Sequence, residues 1–263
     1  MNVWGIADLH LSFGVEGKEM DVFGLNWSKH YEKIESNWRS VVKNDDLVLI
    51  AGDISWAINL DDVAVDLEWI DRLPGVKVIS KGNHDLWWGT NSKVLRILPK
   101  SINIIHNNAF TYKNVTVGGT RLWEREDISY KKYIEYRDTT GINVHYKEYT
   151  EKELKHDRQI YKKEIDRLNW SIDSLDRNAK WRIVMVHYPP AGPNHEETDV
   201  TRILHNAKIN FCIYGHLHNL KPDAPVDFNI NKTKYICTSS DWLNFNPYHI
   251  LSTDHKSPTI CTN

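Results

Sequence analysis

Five short stretches of this chain carry residue types that hold metal ions. They are Asp8-Leu9-His10, Gly52-Asp53, Gly82-Asn83-His84-Asp85, His187 and Gly215-His216-Leu217-His218. Carboxylate, amide oxygen and imidazole together suit borderline divalent cations. Asp8, His10, Asp53, Asn83, His187, His216 and His218 are more donors than one ion needs. Two ions sharing a carboxylate would use them all. Cations held ~3.5–4 Å apart can clamp both oxygens of an in-line phosphoryl displacement. Taken singly, each stretch has a plain alternative. Asp8 and Gly52-Asp53 read as turns, Gly82-Asn83-His84-Asp85 as a turn with a capping Asp, and His187 as a satisfied core histidine. Their shared placement decides between the readings, because each follows an apolar run.

Those runs are the elements that must position the donors. Val3–Ala7, Leu47–Ala51, Val76–Ile79, Val115–Val117, Ile183–Val186, Ile209–Tyr214 and Tyr235–Cys237 read as strands. Helical patterns lie between the early ones. Ser28 is the expected N-cap of a helix that puts Tyr31, Ile34, Trp38, Val41 and Val42 on one face. Leu60, Val63, Leu67 and Ile70 make a second stripe, stopped by Pro74-Gly75. Strand, helix, strand, helix, strand is the pattern of an α/β sheet with parallel neighbours. In such sheets ligands gather beyond the carboxyl ends of the strands, so five strand ends can meet at one place. The longest helix is expected from about Glu151 to Asp176, opened by a Thr150/Glu153 capping box. Its seam of Tyr161, Ile165, Leu168, Ile172 and Leu175 reads as core packing, with a dimer contact as the sharper alternative. Ser12 to Asn26, with little periodicity, reads as a long functional loop.

The order D-L-H, G-D, G-N-H-D, V-H, G-H-L-H closely resembles the calcineurin-like metallophosphoesterases, from Asp8 to His218. The resemblance implies their α/β fold, a four-layer αββα sandwich of two mixed sheets flanked by helices. It implies one such domain over residues 1–263. It also implies roles: Asp8, His10 and His218 would join Asp53 at one metal. Asn83, His187 and His216 would join Asp53 at the other, with Asp53 bridging. The ions would be divalent or trivalent Mn, Fe or Zn. A hydroxide between them would attack a phosphate ester that contacts Asn83 and His84. His84 would protonate the leaving group, and Asp85 would orient His84. The expected substrate is a small phosphomonoester or phosphodiester. A metal-binding scaffold without turnover and a dimetal hydrolase of other bonds remain alternatives. Nothing after His218, and neither Ser12–Asn26 nor Arg121–Lys147, carries a shared motif.

Bulk properties bound the rest. The 263 residues carry a formal net charge of -2, which does not favour nucleic acid as the partner. Cys212, Cys237 and Cys261 are too few and too scattered for a disulfide framework, so a reducing, cytoplasmic setting is expected. No signal peptide and no membrane-spanning run is read. Oligomeric state is left open. Trp87 and Trp88 are expected in the core, with a stacking wall for a base or aromatic leaving group as the alternative. Arg121 and Arg125 are expected on the surface, with phosphate contact as the alternative.

Overall fold

The computed structural model describes residues 1–135 and 149–253. In β2 (Leu47–Ala51) successive side chains enter two different cores. Val48 and Ile50 pack with Trp38 of α1 (His30–Val41) and with Val63, Leu67 and Ile70 of α2 (Leu60–Asp71). Leu47, Leu49 and Ala51 pack with Ile183 and Met185 of β7 (Trp181–Val186). The alternation repeats in β7, whose Val184 and Val186 join Leu168 of α4 (Glu151–Asp173) and Leu204 of α5 (Asp199–Asn206). Strands buried on both faces explain the unbroken apolar runs. The result is four layers: helices, sheet, sheet, helices.

The first sheet runs β11-β1-β2-β3-β4, with β1 (Asn2–Ile6), β3 (Val76–Ser80), β4 (Ile102–Ile105) and β11 (Tyr248–Ser252). Its strands are parallel except β11, which returns antiparallel to β1. The second runs β5-β6-β7-β8-β10-β9, with β5 (Phe110–Tyr112), β6 (Val115–Thr120), β8 (Phe211–Tyr214), β9 (Phe228–Ile230) and β10 (Thr233–Cys237). Its two outermost strands are the antiparallel ones. Both sheets are therefore mixed. A short helix α3 (Asn91–Ile97) links β3 to β4.

Some expectations shift. The helix expected to start at Ser28 begins at His30, behind Lys29 in a left-handed conformation, and Ser28 does not cap it. Val41 points to solvent, while Val42, just past the helix, is buried. Asn59 caps α2, accepting from the backbone of Asp61 and Asp62, and the Thr150/Glu153 capping box forms. Tyr161, Ile165, Leu168 and Ile172, with Leu175 just beyond the helix, all pack into the core under α4. Within Ser12–Asn26, Met20–Phe23 forms a tight helical turn and a second opens at Leu25–Trp27. The loop is pinned by buried Met20 and Trp27. Cys212 and Cys237 are free and buried; Cys261 and part of Arg121–Lys147 lie outside the described residues. No helix among them is long and apolar enough to cross a membrane.

Candidate metal centre

Each donor-bearing strand end turns sharply. Asp8 (φ 58°), His10 (φ 45°), Asp53 (φ 52°) and His216 (φ 71°) all occupy the left-handed region. That conformation costs a non-glycine residue of order 1–3 kcal/mol and gathers at functional sites. Hydrogen bonds hold the turns. Past β1, the backbone nitrogens of Asp8, His10 and Leu11 donate to the carbonyls of Gly52, Asp53 and Ile54, at 2.9, 3.0 and 3.0 Å. The turn after β3 wraps Asp53, whose Oδ1 accepts from the His84 backbone at 2.8 Å. Glycine is required there, because a Cβ on Gly82 would stand 2.0 Å from that oxygen. Gly52 has φ +92°, and a Cβ on it would meet His187 Nδ1 at 2.5 Å.

The seven donors meet. Asn83 Oδ1 lies 2.8 Å from His187 Nε2 and 3.0 Å from His216 Nδ1. His10 Nε2 lies 3.2 Å from His218 Nε2, which is 3.7 Å from Asp8 Oδ1. One atom faces both groups: Asp53 Oδ2 is 3.4 Å from His187 Nε2 and 3.8 Å from His10 Nε2. Two triads, Asp8/His10/His218 and Asp8/Asp53/His187, have their donor atoms within 4.8 Å of one another. Donors ~2.1 Å from a shared tetrahedral ion stand ~3.4 Å apart. The spacings here are close to that, so the residues fit a pair of cations.

Electrostatics agree with the donor chemistry. Burial opposes ionisation of Asp53, but His187 and His10 hold its carboxyl well below the usual carboxylate range. Burial pushes Asp8 up to about 6 against the pull of His218 and His187. His187 reaches about 9, because Asp53 and Asp8 overcome its burial. Burial drives His10 and His216 well below the ordinary imidazole value. Without metal, the protons on His187 and His218 offset the buried carboxylates; cation binding would displace them.

Two residues depart from expectation. Asp85 does not orient His84. Its carboxylate accepts from the backbones of Ile54 (2.9 Å), Ser55 (3.2 Å) and Gly82 (2.7 Å) and from the Trp87 indole (3.0 Å). It ties the β2 and β3 turns together instead. The His84 imidazole has no hydrogen-bond partner among the described residues; its ring lies 4.4 Å from Trp56 and 5.7 Å from His10, centroid to centroid. Asp241 is the carboxylate that does hold a histidine. Its Oδ1 lies 2.8 Å from His218 Nδ1, and its Oδ2 accepts from Asn219 N at 2.8 Å. Burial opposes charging His218, yet Asp241 and Asp8 hold it up to about 9. Asp241 follows Tyr235–Cys237, a strand legible in the sequence, so the rule that found the other donors pointed to it as well.

Trp87 and Trp88 are core residues, each 2% exposed. Arg121 and Arg125 are not free surface cations. Arg121 lies over Trp123 (4.3 Å) and pairs with Glu164 (3.7 Å). Arg125 is held by Asp127, Tyr161 and Asp199. Trp27, at the end of the long loop, packs edge-on against His10 and His218, at 5.9 and 5.6 Å.

The chain resembles the phosphopantetheinyl hydrolase PptH of Mycobacterium tuberculosis in fold, with a TM-score of 0.54 and 14% identity over 98% of each chain. It also aligns with a protein of unknown function from Aquifex aeolicus, AQ665, with a TM-score of 0.46 and 15% identity, covering 94% of this chain and 95% of that one. In sequence it is 35% identical over 86 residues to the Gene 66 protein of Mycobacterium phage L5, a match spanning 32% of this chain and 40% of the phage protein. The pattern of the calcineurin-like phosphoesterases matches residues 1–220, a span that takes in the seven donors from Asp8 to His218 and ends before Asp241. The chain therefore belongs to the calcineurin-like phosphoesterase family, whose members use divalent metals.

Proposed function

We propose that this chain hydrolyses a small phosphomonoester or phosphodiester at two cations. Asp8, His10, Asp53 and His218 would hold one, and Asp53, Asn83, His187 and His216 the other. Mn, Fe and Zn all suit this donor set. The observation that carries the reading is Asp53 Oδ2, which faces His187 Nε2 on one side and His10 Nε2 on the other. When bound, the metals would polarise the phosphoryl oxygens and activate water. The chain's own residues do the rest. Asn83 and His84 orient the phosphate beside them. His84 delivers a proton to the leaving oxygen, a role that contributes about 10²–10⁴-fold. Burial lowers the pKa of His84, and the negative charge of a bound phosphate raises it again. Trp56 and His10 flank the imidazole and limit its rotation.

A small substrate fits the net charge of -2, and the buried free thiols of Cys212 and Cys237 fit a reducing, cytoplasmic setting. Residues 1–263 read as one domain, because the middle core is built from both sheets. Asp53→Asn is the direct test. Wild type reconstituted with Mn should hold two ions per chain by elemental analysis and should hydrolyse p-nitrophenyl phosphate or its bis-ester. The variant should lose metal at both sites together and lose turnover. Normal occupancy in the variant would remove the shared role of Asp53. A wild-type chain holding two ions but cleaving neither ester would remove the activity.

A further inference from the structure

We infer that Trp56 and Lys18 form the leaving-group subsite, and that the group it takes is a planar aromatic ring carrying negative charge. The inference rests on the function proposed above and adds the identity of the alcohol side of the ester. A general acid must stand about 2.6–3.2 Å from the oxygen it protonates. The first atoms of the leaving group therefore lie against whatever flanks the His84 ring. Among the described residues, two rings contact it: His10, a metal-ligand candidate, and Trp56. Trp56 is the one left to meet an organic group.

Trp56 is built as a fixed platform. Its backbone nitrogen donates to Leu11 O at 2.9 Å, and its indole nitrogen donates to Met20 Sδ at 3.2 Å. The ring lies nearly parallel to His10, 23° off, at 5.1 Å. Lys18, from the Ser12–Asn26 loop, places its ammonium over the indole, 5.7 Å from the centroid. That ammonium is exposed and has no carboxylate partner among the described residues. An indole face gives an aromatic ring a stacking partner, and a lone ammonium above it favours an anionic substituent. Exposed apolar side chains adjoin the same segments: Phe23 in the loop, Ile58 two residues past Trp56 and Leu86 two past His84. A site for free inorganic phosphate would need none of these.

Binding of non-hydrolysable phosphonates to the metal-loaded full-length chain, measured by calorimetry, tests this without turnover. Phenylphosphonate should bind about tenfold tighter than methylphosphonate, in line with aromatic stacking on a protein ring. Trp56→Leu should bring that ratio close to one. Trp56→Phe should preserve most of the ratio, which separates stacking from damage to the metal centre if the Leu variant also weakens methylphosphonate. Lys18→Ala should remove the extra affinity of 4-carboxyphenylphosphonate and leave phenylphosphonate unchanged. Equal binding of phenyl- and methylphosphonate by wild type, or a ratio unaltered in Trp56→Leu, would overturn the subsite and leave the hydrolytic reading intact. A chain that holds two metals and binds no phosphonate would overturn both.

Discussion

Asp85 accepts four hydrogen bonds, three of them from backbone nitrogens in two different turns. Asp241 accepts one from a backbone nitrogen and turns its other oxygen to the His218 imidazole. Both carboxylates stand just outside the ring of donors, and each follows a β-strand. The one adjacent to His84 in sequence does not reach its ring, whereas the one 23 residues from His218 is in contact with its partner. Adjacent residues along a turn point apart, so sequence proximity is a poor guide to which side chain orients which. The donors that a carboxylate must satisfy are the better guide. Asp85 shapes the backbone that presents Asp53, Asn83 and His84; Asp241 acts on a histidine directly.

Breaking Asp85 should have the largest effect. Asp85→Ala leaves the nitrogens of Ile54, Ser55, Gly82 and the Trp87 indole buried without an acceptor. At 1–3 kcal/mol for each unsatisfied group, the loss of stability should be about 4 kcal/mol or more. Urea denaturation of the metal-free chain measures it. A variant as stable as wild type but inactive would mean instead that Asp85 serves the chemistry directly.

Much of this architecture could be read from the residues in order. Leu47–Ala51 and Ile183–Val186 announce strands buried on both faces, and the abrupt change to Gly52-Asp53 and His187 marks where they end. Other parts leave no local trace. Tyr248–Ser252 pairs with β1 across almost the whole chain, and long-range pairing has no signature in either segment alone. Trp56 escaped notice because a tryptophan in an apolar stretch reads as core, and only geometry places it against His84. Trp87 and Trp88 are core residues, as that reading expects, and the alternative of a stacking wall there falls.

Asp66 sharpens the contrast between the two carboxylates, because it is buried on α2 with no cation beside it. It accepts from Ser55 Oγ and from the backbone of Phe13 at 2.9 Å, tying the long loop to the β2 turn. Burial raises its carboxyl to about 6 despite those two donors. The folded chain therefore binds this proton more tightly than the unfolded chain does. Its contribution is complete below about 3.8 and is lost as the pH climbs through about 6. Over that window wild type should lose at most about 3 kcal/mol relative to Asp66→Asn, whose amide does not titrate. Denaturation of both metal-free proteins at several pH values gives the difference directly. A difference independent of pH would mean that Asp66 is already ionised in the fold.

The smallest effect, and the one most specific to the comparison, belongs to Asp241→Asn. An amide oxygen can still accept from His218 Nδ1, so the imidazole should keep its tautomer and its place. What disappears is the negative charge that makes Nε2 a stronger donor to the metal, together with the acceptor for Asn219 N, which the amide NH2 does not replace. Partners of this kind change metal affinity about 10–100-fold when mutated, and a substitution that keeps the hydrogen bond should fall near tenfold. The loss should be confined to the site His218 serves, because His187 and His216 make no hydrogen bond to Asp241. Competition with a chromogenic chelator, fitted to two sites, resolves the two affinities. A tenfold loss at one site with the other unchanged places Asp241 behind His218 alone. Equal weakening of both sites would mean that Asp241 acts, like Asp85, on the shape of the whole centre, and the division of labour between the two carboxylates would fall.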